Sequence, residues 1–257
     1  AVPEAAQGIT AVVVTYNPDP EQLARLCQAV QPQVEHVVLV DNGSSAETLA
    51  ALQALVEGPS SALTLLALGE NRGIGAAQNA GITLARQHGS RYVLLLDHDS
   101  IPEAGMVATL RAAIESQSAG SPPVAAAGPR YADARQTTNP SPFVQLEGFK
   151  RVRCECRHAG QLIEVEHLIA SGSLIPMAVL DAVGDMDERL FIDYVDIEWC
   201  LRAAHAGYRM LGVCDARMQH ELGDTPIRFM GKHLPDHSPL RHYYLFRNAL
   251  LLQRMPH

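Results

Sequence analysis

Along the first hundred residues, short apolar runs alternate with polar clusters and with apolar positions at helical spacing. Residues 10–15 (TAVVVT) are mostly β-branched and end in Tyr16-Asn17-Pro18-Asp19, after which Leu23, Leu26 and Val30 mark one face of a helix. Residues 36–40 (HVVLV) end at Asp41-Asn42-Gly43-Ser44-Ser45, before a helix carrying Leu49, Leu52 and Val56. A third strand is predicted over 63–68 and precedes Asn71-Arg72-Gly73 and a helix over 74–88. A fourth, 92–96 (YVLLL), ends at Asp97. Strands that are apolar throughout and alternate with helices predict a parallel sheet buried on both faces. Ligands of such sheets bind beyond the carboxyl ends of the strands. Every polar cluster above lies at such an end, so four strand tips are expected to face one site.

After Pro122-Pro123 the pattern loosens. A short strand is predicted over 124–127, a meander or flap over 131–167, and a strand-like run over 168–175 interrupted by Ser171-Gly172-Ser173. Further helices are predicted over 177–183, 193–206 and 240–254. With 257 residues, 47% hydrophobic and 19% charged, the chain has material for a sizeable core, and one compact catalytic unit over 1–257 is the expectation. A formal charge of -8 argues against wrapping nucleic acid, so a phosphate ligand would need a metal ion or local arginines. The cysteines, Cys27, Cys154, Cys156, Cys200 and Cys214, are odd in number and scattered, which reads as no disulfide framework and as a reducing cytoplasm. Cys154, Cys156 and His158 read as alternate residues of a strand; zinc there would lack a second ligand pair. Residues 1–8 have no signal-peptide pattern and no apolar run is long enough to span a bilayer, so a soluble or at most peripheral protein is expected.

Asp97-His98-Asp99 is the sharpest local signal. Two carboxylates at the end of a buried strand need a cation, donors or water, and Mg²⁺ or Mn²⁺ with phosphate oxygens fits that demand. The competing reading is that these acids cap the helix expected after Pro102. Asp41 at its strand tip could accept from the edge of a nucleobase, or serve an ordinary turn and helix cap. Gly73 and Gly75 also invite a dinucleotide-binding reading, but Gln78 stands where that fingerprint needs a third small residue, and two strand-helix units come first. Arg72 would supply a phosphate donor at a helix N-terminus in either case.

In combination, these elements resemble the inverting family 2 glycosyltransferases of the GT-A fold, and among them the rhamnosyltransferase-like members of O-antigen and cell-wall polysaccharide synthesis. The resemblance runs through residues 12–17 (VVVTYN), 40–45 (VDNGSS), 71–81 (NRGIGAAQNAG), 94–100 (LLLDHDS), 171–175 (SGSLI), 191–202 (FIDYVDIEWCLR), His220 and 243–248 (YYLFRN). It implies an α/β GT-A fold with a mostly parallel central sheet flanked by helices and a small β-rich acceptor-side region. Residues 1–120 would bind the nucleotide sugar; 121–257 would form the acceptor half and C-terminal helix.

Under that resemblance Thr15, Tyr16, Asn17, Asp41, Asn71, Arg72, Gly73, Asn79, Asp97 and Arg247 are expected to hold the nucleotide sugar, dTDP-rhamnose or a UDP-sugar. Asp99 and His220 are expected to bind Mg²⁺ or Mn²⁺. Ser171, Gly172 and Asp193 would face a saccharide or lipid-linked saccharide acceptor. Asp196, first acid of the D-x-E pair, is expected to be the catalytic base, with Asp193 and Glu198 as lesser candidates because Val195 replaces the acid that usually precedes it. Periodicity places Asp193 and Asp196 in a first helical turn and Ile197, Leu201 and Ala204 on one face. Asp185 and Asp187 could also approach the acceptor. On the last helix, Arg247 and Asn248 read as donor or acceptor contacts, or as part of a basic amphipathic face in water or at a membrane. A non-catalytic nucleotide-sugar-binding subunit would use the same fold.

Overall fold

A computed structural model of the protein describes residues 3–58, 63–117, 122–132, 142–147, 150–220, 227–229, 232–234 and 239–255. The first half is the repeating unit expected: β1 (Ile9–Thr15), α1 (Pro20–Val30), β2 (His36–Asp41), α2 (Ala46–Val56), β3 (Leu63–Ala67), α3 (Ile74–Gln87) and β4 (Tyr92–Asp97). Local chemistry starts the helices. Asp19 accepts from the Gln22 N–H at 2.8 Å, with Pro20 in the first turn, and Ser45 accepts from the Thr48 N–H at 3.2 Å. Then follow β5 (Ser100–Pro102), α4 (Met106–Ser116), β6 (Val124–Ala132), β7 (Val144–Glu147), β8 (Lys150–Arg153), β9 (Leu162–Val165), β10 (Leu174–Pro176), α5 (Met177–Val183), α6 (Val195–His205), β11 (Arg209–His220), β12 (Ile227–Phe229), β13 (Lys232–Leu234) and α7 (Pro239–Leu252).

The main sheet runs β3-β2-β1-β4-β10-β6-β11-β5, with β9 on β11. β1, β2, β3 and β4 are mutually parallel, β10 lies antiparallel between β4 and β6, and β11 runs parallel to β6. Alternate residues of β1 feed two cores. Ile9, Ala11 and Val13 pack with Leu23, Leu26, Met106 and Leu110, while Val12 and Val14 pack with Ala77, Ile82 and Trp199. Both faces are dry, which is why these strands carry unbroken apolar runs. On β11 the pairing with β6 slips between Val213 and Arg217 and resumes over Arg217–Gln219, while the other edge of that strand end pairs antiparallel with β5, His220 opposite Ser100. Such an irregularity re-aims a strand end. Here it carries His220 to the tip of β4.

Four expectations change. The run over 168–175 yields a strand only at Leu174–Pro176, because Gly172 turns the chain at φ 87°. Asp193 precedes α6 rather than lying in its first turn, at φ 62°. The buried apolar face of α6 is Val195, Trp199, Cys200 and Ala203, whereas Ile197, Leu201 and Ala204, which share a face as expected, lie on its more exposed side. Cys154 and Cys156 lie past the end of β8, and Cys156 forms a disulfide with Cys214 of β11 across 58 residues, so neither the strand reading nor the absence of disulfides holds. Pairing at that separation leaves no local spacing signal. The inference of a reducing compartment, which rested on the cysteines, falls with it. Part of the stretch expected as a meander or flap, 133–141 and 148–149, lies outside the described residues.

Candidate functional site: a cavity over the β4 tip

β4 delivers Asp97, the following turn delivers Asp99, and the β5–β11 pairing delivers His220. One ligand atom from each lies within 4.8 Å of the others. A six-coordinate divalent cation with bonds near 2.1 Å separates adjacent ligands by about 3 Å and opposite ones by about 4.2 Å, so two carboxylate oxygens and an imidazole nitrogen at this spacing suit one hard ion. The surroundings fix these groups. Ser171 Oγ accepts from the Asp97 N–H at 2.9 Å and lies 2.6 Å from Ser100 Oγ, which lies 2.7 Å from His220 Nδ1; that nitrogen is 3.3 Å from Asp99 Oδ1. Burial, then the Asp99 charge, pushes Asp97 up to about 6. Burial also raises Asp99, but the hydrogen bond and charge of His220, with His98, outweigh it and hold that carboxyl below its ordinary value. A cation between the acids would relieve the cost carried by Asp97. The helix-capping alternative fails, because α4 starts at Met106 behind Gly105.

Above this triangle opens a cavity of about 690 Å³. On the side of the first half it is lined by Val14, Tyr16, Asn42, Asn71, Gly73 and Gln78. Asn42 is nearly buried; its amide donates to Asn71 Oδ1 at 3.1 Å and accepts from the Arg72 N–H at 2.9 Å. Asn71 Oδ1 in turn accepts from the Gly73 N–H at 3.0 Å. Sequence reasoning named Asn71 but passed over Asn42 and Gln78. Gln78 is 3% exposed and its Oε1 has no hydrogen-bond partner among the described residues.

Several residues expected to grip the nucleotide sugar are occupied elsewhere. Asp41 is buried and accepts from the Ser44 N–H at 3.0 Å, from the Ser44 hydroxyl, and from Thr15 Oγ1 at 3.3 Å. Asn17, at φ 44°, donates its N–H to Ser44 Oγ and accepts from the Ser45 N–H. Thr15, Asn17 and Asp41 therefore build the loop from which Tyr16 and Asn42 reach the cavity; none of the three lines it. Arg72 is exposed and lies off the lining. Asn79 pins the segment before α6, donating to Met186 O and accepting from the Met186 N–H, both at 2.9 Å.

The opposite wall comes from the second half: Ser171, Asp193, Tyr194, Asp196, Arg241 and Leu245. Among the three acids weighed for the base, arginine partners separate the roles. Glu198 is buried against Arg202, with contacts of 2.8 Å to both its oxygens, and Asp193 pairs with Arg241 at 3.0 and 3.1 Å. Asp196 lines the cavity and accepts from the Ile197 N–H at 2.9 Å; no ion pair to it is found among the described residues. Burial raises its carboxyl above the ordinary range, against backbone N–H bonds that pull it down. Asp185 pairs with Arg86, and Asp187 with Arg189. Gly172 sits beneath the wall, with the space a Cβ would need filled by Pro129 at 2.6 Å.

The loop entering α6 is strained. Phe191 (φ 63°, ψ -63°) centres a classic γ-turn closed by an Ile192 N–H bond to Leu190 O at 2.8 Å. Asp193 and Tyr194 follow at φ 62° and 65°. Each such residue costs on the order of 1–3 kcal/mol and persists only where the surroundings hold it. Arg247 and Asn248, expected to touch ligand, instead lie behind this loop; neither lines the cavity.

A parallel sheet interrupted by one antiparallel strand, with an acid pair and a late histidine at its carboxyl edge and a cavity above, defines the class: a nucleotide-diphospho-sugar transferase fold of the GT-A kind. Residues 10–157 match the family described as Glycosyl transferase family 2, and the chain belongs to that family. It is 34% identical over 250 residues to the dTDP-rhamnosyl transferase RfbF of Shigella flexneri, a match covering 97% of this chain and 81% of the relative. It is 27% identical over 254 residues to the galactofuranosyltransferase GlfT1 of Mycobacterium tuberculosis, covering 94% and 81%. Among solved structures, GalNAc-T7 with UDP, GalNAc and Mn²⁺ superposes with a TM-score of 0.71 at 17% identity, over 96% of this chain and 51% of that one. TarS 1-349 of S. aureus in complex with UDP-GlcNAc does so at 0.61 and 17%, over 95% and 66%. The chain is thus a glycosyltransferase, and its acid pair and histidine are suited to a divalent metal cofactor.

Proposed function

We propose that the protein transfers L-rhamnose from dTDP-rhamnose, or a similar sugar from a UDP-linked donor, to a hydroxyl of a saccharide or lipid-linked saccharide, inverting the anomeric centre, in O-antigen or cell-surface polysaccharide synthesis. Similarity to a dTDP-rhamnosyl transferase over nearly the whole chain supports the choice of sugar. The observation that carries the chemistry is Asp196, a cavity carboxylate without an arginine partner among the described residues, on the same cavity as Asp97, Asp99 and His220.

Tyr16, Asn42, Asn71 and Gly73 would receive the nucleoside. Asp99 and His220, joined by Asp97, would hold Mg²⁺ or Mn²⁺, which when bound offsets the charge of the diphosphate leaving group. Asp196 takes the proton of the acceptor hydroxyl as that oxygen bonds to the anomeric carbon, and the bond from that carbon to the diphosphate oxygen breaks on the opposite side. Ser171, Gly172 and Asp193 belong to the acceptor wall. Gln78 would meet a hydroxyl or N–H of the donor through its unpartnered oxygen. Peripheral contact with an anionic membrane, through the exposed face of α7, would suit a lipid-linked acceptor.

The test is transfer from dTDP-rhamnose and from UDP-sugars with Mn²⁺ or Mg²⁺, alongside nucleotide binding by thermal shift. Asp196→Asn is expected to lower kcat about 10³-fold while keeping nucleotide binding. Near-normal transfer by that variant would remove the base assignment. Binding without transfer or hydrolysis by the unaltered protein would favour a nucleotide-sugar-binding subunit.

A further inference from the structure

The strained loop ahead of α6 is held from behind by one side chain. Asn248 is fully buried, and the two protons of its Nδ2 are shared among Leu190 O at 2.7 Å, Ile192 O at 2.8 Å and Asp193 O at 3.1 Å. An amide can turn either way unless a neighbour decides. Arg247 decides here: a guanidinium only donates, and its Nη1 lies 3.1 Å from Asn248 Oδ1 and 2.9 Å from Arg189 O. The amide oxygen must therefore face the arginine, and the NH₂ group must face the loop carbonyls. Phe191 stacks on Tyr244 of the same helix with ring centroids 4.8 Å apart, and Arg241 holds the Asp193 carboxylate.

The same loop reaches across the cavity. Phe191 O accepts from the Ile74 N–H at 2.6 Å, and Phe191 fills the space beside Gly73, where an added Cβ would lie 2.6 Å from the Phe191 carbonyl oxygen. One segment thus joins the start of α3 to the start of α6, where Asp196 stands. The geometry points to Arg247 and Asn248 as a pair of positioning residues that lock the loop over 190–194, so that Asp196 and the Gly73 edge of the cavity keep a fixed separation. Neither residue touches substrate. This inference rests on Asp196 being the base only for its kinetic consequence; the clamp itself is a statement about the loop.

The experiment compares the full chain with Asn248→Ala, Arg247→Met and Arg247→Lys by hydrogen exchange, by binding of dTDP with Mn²⁺, and by steady-state transfer. Asn248→Ala is expected to speed exchange of amides 191–198 at least tenfold, leave β1 and β4 unchanged, keep the dTDP Kd within threefold, and lower kcat about 10²-fold with little change in KM. Arg247→Met should act in the same direction more weakly, and Arg247→Lys, which keeps a donor for Asn248 Oδ1, should restore most of the protection. If Asn248→Ala fails to fold, the two Arg247 variants carry the comparison. A tenfold weaker dTDP Kd with unaltered exchange would make the pair a ligand contact and overturn the proposal; so would exchange that rises evenly throughout the chain. Faster loop exchange in a protein whose unaltered form transfers no sugar would leave the clamp standing and sink the transferase reading instead.

Discussion

At the scale of single residues, what a side chain can do was set by what already claims it. Asp41, Asn79 and Glu198 are chemically suited to the roles first expected of them, yet each has its polar atoms committed to Ser44, Met186 or Arg202. Asp196 accepts only backbone N–H bonds, with no ion-pair partner among the described residues, and is shifted upward by burial. A carboxylate base works ionised, so activity falls as pH drops through its pKa. With that pKa above the ordinary value of about 3.9, the acid limb of kcat should sit correspondingly higher. A kcat profile that stays flat down to the ordinary carboxylate range would show that the base lies elsewhere.

At the scale of elements, the helices and strands of the first half followed from local pattern, since β1, β2 and β4 are apolar on both faces and α1 and α2 each start at a side-chain cap. α7 did not. Asn248 is buried behind the loop ahead of α6, while Tyr243, Phe246 and Leu250 are 58%, 75% and 61% exposed, beside Arg254. No acidic residue occurs from Pro239 to the end of the chain, although the protein as a whole carries -8. Such a face suits an anionic lipid surface. Sedimentation with vesicles containing phosphatidylglycerol is expected to capture the protein, and Phe246→Ser or Leu250→Ser should each weaken partition about tenfold, given roughly 1.5 kcal/mol or more for burying such a side chain. Equal partition of both variants and the unaltered protein would exclude this face.

For the whole molecule, the Cys156–Cys214 disulfide ties the segment after β8 to the strand that ends at His220. Closing a loop of 58 residues constrains the unfolded chain by about 4 kcal/mol in the chain-entropy account, so Cys156→Ser should lower Tm by on the order of 10 °C. Neither cysteine lines the cavity, and transfer at low temperature should change little. An unchanged Tm, with or without reductant, would mean the bond does not form in solution.

By itself the amino-acid order determined the alternation of strands and helices up to β4 and the edge of the sheet where ligands gather, and it singled out Asp97, Asp99, Asp196 and His220, which the fold brings to one cavity. These are properties of short windows, where hydrophobic period and residue type carry the physics. Only the tertiary structure decided that Thr15, Asn17 and Asp41 build a loop, that Asn42 and Gln78 line the cavity, that Asp196 rather than Asp193 or Glu198 is left without an arginine, and that Asn248 grips the backbone of a strained turn. Apart from the Glu198–Arg202 pair, four residues apart on one helix, each of those depends on a partner far along the chain or on a positive φ that neighbours enforce, and neither leaves a periodic trace in the sequence.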